Sequence, residues 1–143
     1  MKLATVGYEN DTQAAVIDRL KMADVKVVID VRAVASSRKA GFSKTILAAS
    51  LDEAGIAYVH LQKLGTPKAG REAARAGRIG EMRRIFEDHL AEPAAQLELA
   101  KAGEIASQRK SALLCYEADP NGCHRLIVAE RLHEQLGLEI ENL

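Results

Sequence analysis

The feature that most constrains this chain is residues 25–31, VKVVIDV, rich in β-branched side chains and apolar at nearly every position. A strand with one wet face alternates apolar and polar residues, so a run this uniformly apolar reads as a strand covered on both faces. Covering both faces calls for helices above and below a parallel sheet, and the rest of the sequence supplies them. Further short apolar runs predict strands at 3–6, 57–61 and 111–116, with a fifth at 138–140. Helical patterns at 12–22, 43–54, 80–90, 93–107 and 121–136 lie between them. Asn10, Asp11 or Thr12 and Ser43 are placed to cap helix starts, and Gly55 and Gly137 to stop them. Pro93 sits in a first turn, where proline is tolerated. The expected fold is α/β: a single three-layer domain over residues 1–143, with a mainly parallel sheet of four to five strands and helices on both faces.

A chain of 143 residues can bury roughly two thirds of its unfolded surface, enough for a core without staples. Only 3% of the residues are aromatic and none is tryptophan. Aliphatic side chains and alanine must fill that core, and an aromatic stacking platform for single-stranded nucleic acid is disfavoured. Twenty basic and twenty acidic residues cancel, so the whole molecule has no electrostatic pull toward nucleic acid or an anionic bilayer. The N-terminal segment MKLATVGYEN has no apolar signal core, and no run is long enough to span a membrane. With only two cysteines, Cys115 and Cys123, reduced thiols and a cytoplasmic setting are the expectation.

Right-handed crossovers put every strand C-terminus along one edge, where the ligand crevice of a parallel α/β sheet lies. Polar residues leaving three strands therefore define a candidate site. The first exit is Gly7-Tyr8-Glu9-Asn10, with Gly7 allowing a tight turn or a close backbone approach. The second is Asp30-Val31-Arg32, followed by Arg38 and Lys44. Asp30 and Arg32 share one side of a strand, either as an ion pair closing its end or as an arginine held to grip an anion. The third runs from Cys115 through Glu117 and the turn Asp119-Pro120-Asn121-Gly122 to Cys123-His124-Arg125. The last three fall in the predicted first turn of the final helix, whose free N–H groups attract anions and lower a thiol pKa.

Three chemistries suit that third exit. Cys123 can be a nucleophile activated by the helix end and by His124 or His60, with Arg125 on an anionic group. Glu117 and His124 can exchange protons while arginines hold the substrate. Cys115, Cys123 and His124 can offer metal ligands, but adjacent residues of a helix point about 100° apart, and no second short-spaced pair supports a zinc motif. The first two remain open; no metal ligand and no cofactor is assigned. Glycine-rich phosphate loops, a dinucleotide fingerprint and a serine elbow are absent. The arginine-rich stretch 71–84 reads as a solvated helical face that can also guide a polyanion.

Thr5-Val6-Gly7-Tyr8, Asp30-Val31-Arg32 with Ser37-Arg38 and Phe42-Ser43-Lys44, Ala57-Tyr58-Val59-His60-Leu61 with Leu64-Gly65, and Leu114-Cys115 to Cys123-His124-Arg125 occur in that order. Together they resemble the domain of unknown function 488 family over nearly the whole chain. The resemblance implies a compact α/β fold and a shared polar cluster without an agreed activity. Family members more often carry His and Ser where this chain has Tyr8 and Glu9. A weaker similarity links Val28-Ile29-Asp30-Val31-Arg32 to an early strand of rhodanese sulfurtransferases. Arg125, however, lies ten residues beyond Cys115, farther than the short rhodanese loop places its arginine.

The expectation is thus an enzyme acting on an anionic substrate (phosphate-bearing, a nucleotide or nucleic acid), with two alternatives: a noncatalytic module binding a nucleotide or nucleic acid, or a cluster that serves as a structural metal site. Catalytic candidates are Cys115, Glu117, Cys123 and His124. Binding candidates are Gly7, Tyr8, Asp30, Arg32, Arg38, Lys44 and Arg125.

Overall fold

The computed structural model describes residues 1–143. Its strands are β1 (Lys2–Gly7), β2 (Val27–Asp30), β3 (Ala57–His60), β4 (Ser111–Cys115) and β5 (Glu139–Asn142). They form one five-stranded sheet in the order β3-β2-β4-β1-β5, with every pair parallel. Six α-helices complete the chain: α1 (Gln13–Met22), α2 (Lys44–Glu53), α3 (Lys68–Arg75), α4 (Ile79–Leu90), α5 (Pro93–Gln108) and α6 (Arg125–Leu136). None is long and apolar enough to cross a membrane.

Strand alternation sorts the core into two layers. Val28, Ala112 and Leu114 pack with Val16 and Leu20 of α1 and Leu47 and Leu51 of α2. Val27, Ile29, Leu113 and Cys115 pack on the other side with Ala73, Met82, Phe86, Leu99 and Ile127 from α3 to α6. The three-layer α/β fold with a parallel sheet is therefore as the sequence indicated. The chain runs outward from β1 to β2 and β3 over one face, then returns over the other to insert β4 between β1 and β2. The C-terminal ends of β1, β2 and β4 consequently lie side by side: Gly7 is in register with Cys115, and Asp30 with Leu114.

Three local expectations are corrected. Thr12 caps α1, accepting from the Ala15 N–H, but the Ser43 side chain makes no cap bond to α2. Its hydroxyl is spent on the Ser37 backbone, accepting from the N–H and donating to the carbonyl, which folds the 37–43 loop. The arginine-rich stretch is two helices, α3 and α4, parted at Gly77 with φ +79°, a conformation that favours glycine. The final helix starts at Arg125 rather than at 121, because Asp119 accepts from the Asn121 N–H and closes a 3₁₀ turn over Pro120–Gly122.

Candidate functional site

Asp30 and Arg32 meet as expected and are buried together. The Asp30 side chain is fully buried and Arg32 is 4% exposed. Arg32 Nε donates to Asp30 Oδ1 (2.9 Å) and Nη2 to Oδ2 (2.7 Å). Nη1 donates to the Tyr8 hydroxyl (2.9 Å) and the Phe42 carbonyl (2.8 Å), so four of the five guanidinium N–H groups are engaged. Asp30 also accepts from the Arg32 backbone N–H (3.0 Å) and the Tyr58 hydroxyl (2.5 Å). Burial works against the Arg32 charge, but the Asp30 carboxylate outweighs it and holds the guanidinium protonated. Burial and then the bond to Asp30 push the Tyr58 hydroxyl up. Tyr8 stacks on Phe42 with ring centroids 4.2 Å apart, and burial raises its hydroxyl pKa too.

Across the sheet edge lies a thiol–imidazole–carboxylate cluster. The Cys115 thiol is 3.3 Å from Glu117 Oε2 and 3.7 Å from His124 Nδ1; Cys123 Sγ is also 3.7 Å from Nδ1. The two sulfurs and a ring nitrogen of His124 all lie within 4.8 Å of one another, and all three residues are buried. Cys123 does not sit in a helical turn: its backbone is extended (φ −131°, ψ 142°) just ahead of α6. The divergence of about 100° expected between neighbouring helical side chains therefore does not arise, and Cys123 and His124 converge. His124 Nε2 is 2.7 Å from the Val31 carbonyl. A carbonyl can only accept, so Nε2 carries a proton and donates it there, leaving Nδ1 to face both sulfurs.

The two thiols are electrostatically unequal. Burial resists ionisation of Cys123, yet the Cys115 thiol bonded to it and the charges of His124 and Arg125 prevail and hold it well below the usual thiol range. Its bond to Cys123, followed by burial, drives Cys115 the other way. Burial disfavours an imidazolium at His124, but the Cys123 thiolate more than offsets it. Burial, then the Cys123 charge, pushes the Glu117 carboxyl up to about 6. Arg125 is 1% exposed. It donates to the carbonyls of Glu117 (2.5 Å) and Ala118 (3.4 Å), while its backbone N–H approaches Cys123 Sγ at 3.5 Å. No carboxylate pairs with it, so the Cys123 thiolate is a nearby anion able to balance a buried positive charge.

A cleft of about 670 Å³ opens over this edge. Its floor includes Tyr8, Arg32, Cys115, Glu117, Cys123 and His124, and its walls bring in Arg38 from the loop after β2 and Arg71 and Arg75 from α3. Arg38 lines the cleft, whereas Lys44 is exposed on α2 outside it and Arg125 lies beneath the floor. Gly7 is under the floor as well, pressed against the Glu117 backbone. Arg71 and Arg75, four apart on one helix face, read in sequence as part of a solvated face, but Ala73 between them is buried in the core and both arginines line the cleft. Arg71 is steadied by a 2.9 Å bond to the Thr66 carbonyl.

Fold and site together define an α/β protein with a polar, arginine-walled cleft at the C-terminal edge of a parallel sheet and two free thiols in its floor. Residues 12–132 match the family described as domain of unknown function DUF488, and the chain belongs to that family. The rhodanese similarity finds no support in this match. No curated protein and no solved structure matches the chain. Tyr8 accepts from Arg32 Nη1, and Glu9 accepts from the Ala118 N–H (3.1 Å).

Proposed function

We propose that this protein is an enzyme acting on a phosphate-bearing substrate, a nucleotide or a nucleic-acid end, bound in the arginine-walled cleft. The observation that carries this reading is the excess of cleft arginines, Arg38, Arg71 and Arg75 in the walls and Arg32 in the floor, over a single cleft carboxylate, Glu117. Arginine suits phosphate because its planar fork donates two parallel hydrogen bonds. The chain's overall neutrality does not oppose this, since the positive charge is concentrated at one cleft. Cys115, Glu117, Cys123 and His124 stand below the bound anion as the reacting group, with Glu117 able to carry a proton and Cys123 the electron-rich atom. Arg32 and Arg125 support the floor from within, Arg32 keeping one N–H group for the cleft. Two free thiols suit a reducing, cytoplasmic setting.

The test is calorimetric titration with nucleotides, pyrophosphate and short oligonucleotides, followed by a search for turnover of whichever class binds. Arg38 and Arg75 are exposed, so Arg38→Ala and Arg75→Ala should each weaken binding roughly ten-fold or more while leaving the melting temperature within about 1 °C. Absence of binding by every anion, or binding indifferent to both substitutions, refutes the reading. Binding without turnover in any class would mark the cleft as a noncatalytic module.

A further inference from the structure

Cys115, Cys123 and His124 present three soft donor atoms to a common point, although they come from a strand end, an extended residue and the residue heading α6. Thiols are weak hydrogen-bonding groups, so mutual hydrogen bonding is a poor reason to bury two of them against one imidazole nitrogen. The spacing fits another purpose. A sulfur at ~2.3 Å and an imidazole nitrogen at ~2.05 Å from one ion, at the tetrahedral angle, stand about 3.6 Å apart. Both sulfur-to-Nδ1 distances are 3.7 Å. His124 is oriented as a metal-binding imidazole is elsewhere, its far nitrogen donating to a backbone carbonyl and its near one facing both sulfurs. The Arg125 amide aimed at Cys123 Sγ supplies an outer hydrogen bond to a ligand sulfur, and Phe86, 5.1 Å from the His124 ring, walls the cluster on its apolar side.

We infer that Cys115, Cys123 and His124 form a three-ligand site for a divalent ion of the zinc class, with its fourth side open to the arginine-walled cleft. Glu117 Oε2, 3.3 Å from Cys115 Sγ, is the protein group that can close the fourth position when no substrate does. Two thiolates and an imidazole select a borderline-soft ion over magnesium or calcium. Three protein ligands with one open position are the pattern of a reactive rather than a structural zinc site. When bound, such an ion polarises a substrate oxygen and acidifies a coordinated water. This inference deepens the reading of the cleft and changes one part in it: Cys123 becomes a ligand, not the attacking atom.

The experiment is titration of the reduced, chelator-stripped full chain with Co²⁺, then competition by Zn²⁺, followed by absorbance. One equivalent of Co²⁺ should give the visible d–d bands of a tetrahedral ion and a near-ultraviolet thiolate charge-transfer band, both erased by one equivalent of Zn²⁺. Cys115→Ser, Cys123→Ser and His124→Gln should each weaken Co²⁺ binding by more than about 100-fold, with circular dichroism confirming the fold. The wild-type titration decides the matter even if a variant fails to fold. A reduced wild-type chain giving no charge-transfer band overturns the inference. So does an octahedral spectrum, or full retention of binding in a folded Cys123→Ser protein. Pyrophosphate affinity of the metal-free chain, measured alongside, separates the two readings. Anion binding without the cobalt spectrum leaves the cleft and removes the metal; the reverse result leaves the metal and removes the cleft.

Discussion

Replacing Asp30 by Ala is expected to cost about 3–5 kcal/mol, the penalty for stranding a buried charge, and to lower the melting temperature by about 10 °C or more. The carboxylate accepts from Arg32 Nε, Arg32 Nη2, the Arg32 backbone N–H and the Tyr58 hydroxyl. Its removal leaves those donors facing a void, with the guanidinium too enclosed to recruit water freely. The pair's net contribution is another matter, since taking both ions out of water offsets much of their attraction. Asp30→Leu combined with Arg32→Met should therefore recover part of the stability lost in Asp30→Ala. Urea denaturation of the single and double variants measures both quantities. A single variant that melts with the wild type but no longer binds anions would make the pair a substrate grip instead of a structural closure.

That pair shows where sequence was informative. Asp30 inside an apolar run announced a charge needing a partner, and two-residue spacing named Arg32. The run itself, together with alternating strand and helix patterns, was sufficient for the sheet and its two helical layers, because period and β-branching are local properties. The edge that bears the site was equally legible, since crossover handedness places every strand exit there. Legibility ended where a side chain's role depends on docking. Arg71 and Arg75 look like Arg83 and Arg84 in sequence; only the break at Gly77 and the packing of Ala73 and Met82 against the core separate them. The convergence of Cys123 and His124 was hidden for a related reason. It depends on the 3₁₀ turn ahead of α6, and reading that turn as helix sends the two side chains apart. Arg125 appears as a free cation until the chain is seen to pass its carbonyls over it.

How those carbonyls come so close leads to the second large effect, expected at Gly7. An added Cβ there would lie 1.8 Å from the Glu117 carbonyl oxygen, 2.6 Å from its carbon and 3.1 Å from Ala118 Cα. These are backbone atoms, which cannot rotate aside as a side-chain end can. The same stretch is tied on three other sides. Tyr8 and Glu9 donate their N–H groups to the Tyr116 carbonyl, Glu9 accepts from Ala118, and Arg125 holds the Glu117 and Ala118 carbonyls. Gly7→Ala must push the segment off β1 and break several of these bonds at once, leaving the Arg125 guanidinium short of acceptors. A loss of about 3 kcal/mol or more is expected, together with displacement of Glu117 and faster alkylation of Cys115 and Cys123 as the floor opens. Gly80 provides the contrast. It lies inside α4 with nothing within 4 Å of an added Cβ, and Gly80→Ala should be neutral or stabilising by up to about 1 kcal/mol. Equal stability of the Gly7→Ala and wild-type chains would refute the close passage of the two backbones, and with it the tie that sets Arg125, Glu117 and the two thiols in one place.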